Sequence, residues 1–278
     1  MSFTLSAADV KNLRDTTGAG MMDCKAALTE AEGDFEKAIE ILRKKGQKLS
    51  IKRADREAKE GAVIAKVNGA KSKGVVIKLS SETDFVSKNE DFVQTARKIA
   101  DIALENYPSG LEALLALPYD GSVTIGDKIT DMVAAIGEKI ELTNYEKLEA
   151  AQVESYIHMG NKAGVLVGLN KAGDQFTDAG KDVAMQIAAM KPIALDKGDV
   201  DPSVIEKEIE IGKEQARAEG KPEAMLEKIA LGKLEKFYKE NTLLHQQFVK
   251  DGNLTIASYL KGFDKDLTAT GFKHVKLG

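Results

Sequence analysis

The side chains of this sequence that could do chemistry are few and scattered. Its three histidines, His158, His245 and His274, lie too far apart for a metal-ligand spacing such as H-E-x-x-H, and a single cysteine, Cys24, cannot build a zinc cluster. No G-x-x-x-x-G-K-[ST] run is present to cradle a phosphate. "GAGMMD", residues 18–23, begins like the dinucleotide fingerprint G-x-G-x-x-G, but it lacks the third glycine and follows a helical pattern instead of a strand. Glu82 and Asp84 form an acid pair at strand-end spacing; as general acid and base they would need a histidine, a metal or a pocket close by. Cys24 could be a nucleophile at a helix start, yet Met21, Met22, Ala26 and Ala27 around it favour a small buried residue. An enzyme reading has little to rest on, and neither cofactor nor metal is expected.

One stretch stands out from this background. "SSETDFVSKNEDF", residues 80–92, sets Asp84 and Phe85 side by side in a solvated corner between an apolar run and a helical one. Phe85 could staple onto Phe92 or Val93 where the helix begins, with Asp84 as a local cap. Alternatively, the two residues form a charged and apolar probe aimed at another molecule, because aromatic anchors carry interface energy out of proportion to their number. Met21 and Met22 pose a similar question: methionine is ordinary core material, but a pair directly after a glycine turn can turn one side chain outward. His158 reads as a polar hairpin residue.

The elements that must position these residues can be read along the chain. Residues 1–55 form a helical module and linker: Ser6 caps a first helix carrying Val10 and Leu13, a second starts near Asp23, and Asp34 caps a third bearing Phe35, Ala38, Ile39 and Leu42. The charged stretch at residues 44–61 suits a linker or a mobile helix. From Gly61 the pattern turns β-branched. "AVIAKVNG" and "GVVIKLSS" make a hairpin, a helix follows from about Asp91, and a second helix leads into a strand near residues 139–148. The order then recurs: "VESYIHMG" and "AGVLVGLNK" pair, a helix follows, and the end runs from helix to strand. Thr124-Ile125 matches Thr255-Ile256. The expected fold is α+β, with a three-helix bundle followed by a duplicated core of two small antiparallel-sheet subdomains, 56–149 and 150–278. Residues 201–240 within the second form a helical hairpin around "EGKPE", too poor in large apolar residues for burial all round and therefore projecting.

Composition narrows the partners. Hydrophobic residues at 43%, charged residues at 30% and a net charge of −4 describe a soluble protein and argue against direct nucleic-acid binding. No apolar run approaches the length of a membrane span, the start lacks a targeting pattern, and one cysteine suits a reducing compartment, so a cytoplasmic location is expected.

"LRDTTGAGMMDCKAALTEAEGDFEKAIEILRKKG" and "ETDFVSKNEDF" closely resemble the elongation factor Ts family of bacteria and organelles, and the likeness extends over essentially the whole chain. The resemblance implies a ubiquitin-associated-like N-terminal bundle and guanine-nucleotide exchange on elongation factor Tu, the GTPase that delivers aminoacyl-tRNA. It implies that Thr83, Asp84, Phe85 and Val86 push between elements of that GTPase and dislodge its magnesium ion. Arg14, Met21, Met22 and Lys25 match the N-terminal module's contacts with the nucleotide domain, His158 a histidine of the second core half, and Phe248 a Phe-Val that meets another partner domain. Asn161-Lys162 stands where the family often has Gly-Arg, and Gln247 where Pro is common. The amphipathic hairpin fits pairing of two copies, contact with the GTPase, or a solvated role. A non-catalytic helical-bundle adaptor using only the first module is the alternative, but it leaves the duplicated core unexplained.

Overall fold

The computed structural model describes residues 5–121 and 123–278. Ser6 opens α1 (Ala7–Thr17) with a reciprocal cap: its hydroxyl accepts from the Asp9 backbone N–H, and the Asp9 carboxylate accepts from the Ser6 N–H. Gly18, at φ 71°, ends that helix in the left-handed region. α2 (Met21–Glu30) begins directly after Gly20, two residues before the expected start, and Asp34 caps α3 (Phe35–Lys52). Leu13, Cys24, Leu28, Ala38 and Leu42 close a small core among the three helices.

In the charged stretch at residues 44–61, expected to be a linker or a mobile helix, the chain stays helical as far as Lys52. α3 continues to Lys52 because its apolar side has a second partner: Leu49 packs on the adjoining core, and a Cβ on Gly46 would lie 2.6 Å from the Thr130 carbonyl oxygen. Only residues 53–59 connect the helix to the first strand.

β1 (Glu60–Val67) and β2 (Lys73–Ser81) form the first hairpin. A one-turn helix, α4 (Asp84–Ser87), leads to α5 (Glu90–Asn106), then α6 (Leu111–Leu115) and a two-stranded ribbon of β3 (Pro118–Asp120) and β4 (Val123–Thr124). α7 (Ile125–Ile136) carries the Thr130 face that receives α3, and β5 (Ile140–Glu149) completes a sheet ordered β1-β2-β5. The second half repeats the scheme: β6 (Gln152–His158), β7 (Ala163–Leu169), α8 (Thr177–Met190), the hairpin α9 (Pro202–Ala218) and α10 (Glu223–Asn241), a ribbon of β8 (Gln247–Phe248) and β9 (Asp251–Thr255), α11 (Ile256–Lys261) and β10 (Ala269–Lys276), with sheet order β6-β7-β10.

The two sheets lie face to face with helices outside. Along β2, Val75 and Ile77 point to α5 and α7 while Val76 points to the other sheet; along β7, Val165 and Val167 point to α8 and α11 while Leu166 points back. Burial on both faces explains why these strands read as continuous apolar runs instead of alternating ones. The interface is close to two-fold. "GVVIKL" from Gly74 and "GVLVGL" from Gly164 are ninety residues apart. A Cβ on Gly74 would strike Leu166 and Val153, and one on Gly164 would strike their counterparts Val76 and Val63. The backbone hydrogen bonds are reciprocal too: Val153 N–H donates to Lys71 O and Val63 N–H to Asn161 O. Thr124 and Thr255 cap the equivalent helices α7 and α11.

The helical hairpin packs its two arms at close range: a Cβ on Gly212 would come within 3.0 Å of Ala230 Cα. Val200, Leu234 and Tyr238 bury its base, whereas Met225 and Leu231 further along remain about half exposed.

Candidate functional site

The corner after β2 is held by its first two residues and presents the next two. Glu82 is a hub for three donors: the Lys139 backbone N–H at 2.6 Å and Arg53 Nη1 at 2.8 Å reach Oε1, and Arg56 Nη1 reaches Oε2 at 3.0 Å. Burial alone would push its carboxyl up; these donors together outweigh that and hold it at about 2. Thr83 is fixed by the neighbouring Glu138, whose Oε2 accepts from the Thr83 N–H at 3.0 Å and whose Oε1 accepts from the hydroxyl at 2.7 Å. Glu138 and Lys139 belong to the turn between α7 and β5, and Arg53 and Arg56 to the segment leaving α3, so these two segments together set where α4 begins.

Asp84 and Phe85 point away from this anchorage. Phe85 is 85% exposed, while Phe92 is buried beneath α5 without it and Val86 packs on the core in its place. Asn89, not Asp84, caps α5. The staple arrangement is thus absent: Val86 does the packing, and the phenyl ring stands in solvent. Asp84 pairs with Lys88 at 2.6 Å, and that hydrogen-bonded ammonium keeps its carboxyl below the usual carboxylate range.

Beside the corner runs a groove of about 630 Å³, lined by Phe85, Lys88 and Arg97 on one side and by Gly160, Asn161 and Lys162 on the other. The far wall is the β6–β7 turn, which begins directly after His158, the last residue of β6. His158 Nδ1 lies 3.1 Å from the Tyr156 hydroxyl. Met159, which sequence reasoning passed over, is 71% exposed at φ 46°. Its signal was a large apolar residue in the tip of a hairpin.

The N-terminal set forms a surface of its own. Arg14 and Lys25 are exposed, and both methionines, not one, face outward, Met22 more than Met21. Met21, Met22 and Lys25 line a small apolar groove of about 290 Å³ with Leu5 and Val10. Phe248 is the expected contact residue of the second half. It is buried in the second core half with its ring 4.2 Å from that of Tyr259, and the neighbouring Val249 is the exposed residue.

Among the described residues, conventional catalytic groups do not converge. Glu82 and Asp84 are engaged by different partners, Glu82 by Arg53, Arg56 and the Lys139 N–H and Asp84 by Lys88. Cys24 is buried, and burial pushes its thiol up. His245 meets Thr242, and burial followed by nearby lysines lowers His274. Among the described residues, no group of three or more His, Cys, Asp or Glu is placed to hold a metal ion, and no helix is long and apolar enough to cross a membrane.

Residues 82–278 match the family model described as Elongation factor TS. The chain is 54% identical over 274 residues to elongation factor Ts of Christiangramia forsetii, covering 99% of each chain. It is 54% identical over 275 residues to that of Cytophaga hutchinsonii, again covering 99% of each. The elongation factor Ts of Porphyromonas gingivalis is 47% identical over 269 residues, 97% of each chain. Matches of this length and identity, over a chain with this duplicated core, place the protein in the elongation factor Ts family.

Proposed function

We propose that this protein is a guanine-nucleotide exchange factor that binds elongation factor Tu in its GDP state, displaces magnesium and releases the nucleotide, so that GTP can rebind. The observation that carries the reading is the exposed Asp84–Phe85 pair on a corner whose preceding residues are anchored by five hydrogen bonds. Exposing a phenyl ring in water is unfavourable, and holding it on a fixed corner suits a probe that enters a partner without ordering itself first. Magnesium bridges protein and phosphate oxygens, so a carboxylate and a ring thrust into its surroundings weaken GDP binding with no covalent step. Binding the nucleotide-free partner more tightly than the nucleotide-bound one is sufficient, and linkage then makes nucleotide weaken the factor's binding equally.

On this reading residues 1–55, 56–149 and 150–278 act as three cooperating parts. Thr83 and Val86 frame the probe, and Arg14, Met21, Met22 and Lys25 dock the N-terminal module on the nucleotide domain. His158 supports the partner from the far side of the groove, and the Phe248 region contributes through Val249 over a buried Phe248. Stopped-flow release of labelled GDP from elongation factor Tu tests the proposal. Substoichiometric protein should accelerate release with repeated turnover; release at the partner's intrinsic rate would overturn it.

A further inference from the structure

The exposed pair lies at the start of a helix of only four residues, and such a turn does not hold its own direction in water. Something outside it must fix where Phe85 points. Thr83 is the N-cap of α4, yet its hydroxyl makes no cap to that helix; hydroxyl and N–H both go to Glu138, on the turn between α7 and β5. The same turn supplies the Lys139 N–H to Glu82, and the Lys139 ammonium reaches back to the Ala54 and Arg56 carbonyls at 2.8 and 3.2 Å. Arg53 and Arg56 close the ring on Glu82. The corner, the α7–β5 turn and the segment leaving α3 are therefore one hydrogen-bonded unit, and α7 is the helix on which α3 docks.

We propose that Glu138 is a positioning residue for nucleotide exchange: it clamps Thr83 by two hydrogen bonds and so sets the direction in which Asp84 and Phe85 enter the partner. The inference rests on the exchange reading above. Glu138 need not touch the GTPase, and its effect falls on the release step more than on docking, which the N-terminal groove and the β6–β7 turn serve.

The test uses the full-length chain and three variants, Glu138→Ala, Glu138→Gln and Phe85→Ala, in the same GDP-release assay, titrated to saturation. Glu138→Ala should lower the maximal release rate about tenfold, since small misplacements of an acting group cost one to two orders of magnitude. The half-saturating concentration should move less than about twofold, as expected when an interaction acts mainly in the transition state. Amide hydrogen exchange across residues 83–88 should accelerate in that variant while α5 and β2 keep their protection. Glu138→Gln should recover most of the rate, because its carbonyl can accept from the Thr83 N–H while its amide donates to the hydroxyl. Wild-type maximal rate in Glu138→Ala, with Phe85→Ala slow in the same assay, overturns the positioning role and leaves the exchange reading standing. A general loss of protection and melting temperature, with the rate per folded molecule unchanged, likewise overturns it as a purely structural effect. If the unmodified chain does not accelerate release, the exchange reading itself fails and this inference goes with it.

Discussion

Phe85→Ala separates two costs that a phenyl ring can carry. Truncating a fully buried phenylalanine typically costs about 3–5 kcal/mol. Phe85 is 85% exposed, so about a sixth of that, roughly 0.5–0.8 kcal/mol, is at stake in the free protein. Alanine is the better helix former by about half a kcal/mol, which offsets most of the loss in α4. The melting temperature should therefore stay within about 2 °C of the original. In the complex the arithmetic changes. A phenyl side chain that buries about 150 Å² at about 25 cal/mol/Å² has close to 4 kcal/mol available. If half is realised in the exchange transition state, the release rate falls about thirtyfold. Differential scanning calorimetry and stopped-flow GDP release on the same preparation measure both. A drop of more than about 5 °C, with normal exchange by the fraction still folded, would make Phe85 a core residue and refute the reasoning.

Glu82 makes stability depend on acid. Its folded pKa of about 2 lies below the ordinary 4.5, so its contribution is fully present above pH 4.5 and is lost as pH falls towards 2, in all on the order of 3 kcal/mol. Denaturant titrations at pH 6 and pH 3 should show about 2 kcal/mol less acid sensitivity in Glu82→Gln; equal sensitivity would mean the hub is not what holds that charge. Gly46→Val should undock α3, since its Cβ would meet the Thr130 oxygen at 2.6 Å and Ala134 Cβ at 3.0 Å, at a cost of about 1–3 kcal/mol. Proteolysis of residues 53–59 should speed up accordingly, and an unchanged cleavage rate counts against tight docking. Gly212→Leu should splay the helical hairpin at Ala230. A separate early loss of helix on heating, with the sheets intact, is the expected outcome, and a single transition at the original temperature would contradict it.

Local grammar made much of the architecture legible. Ser6 and Asp34 each accept the backbone hydrogen bond that their position before a helix suggests. The β-branched runs pair as read, because a hairpin is set by its own two strands and turn. What escaped was decided at long range. The far half of α3 looks like a charged linker because its contact face is Leu42, Gly46 and Leu49, and a glycine gives no apolar signal until α7, some eighty residues later, is seen against it. Glu82 reads as a possible acid because its arginines lie twenty-six and twenty-nine residues back. Phe248 and Val249 could not be told apart by alternation, since β8 has only two residues and shows no period.

The duplication explains how a corner of this fold comes to point outward. At the ninety-residue offset that relates Gly74 to Gly164, Val86 corresponds to Phe176, and both pack on their own half of the core. Phe85 stands one position earlier. One residue turns a helical side chain by about 100°, enough to carry a ring from the core side to solvent without changing the backbone path. The surroundings of the two corners differ in the same sense. In the second half the space beside the corner is filled by Lys71, whose ammonium donates to Thr177 Oγ1 at 2.7 Å and meets Glu154 at 3.3 Å, with Gln152 donating to the same carboxylate. In the first half the equivalent turn carries Asn161 and Lys162 and leaves the groove open. A closed corner stabilises the core through buried polar pairs. An open one leaves a ring and a carboxylate on a rigid support, and the ordering a flexible loop would need on binding is already complete in the folded chain.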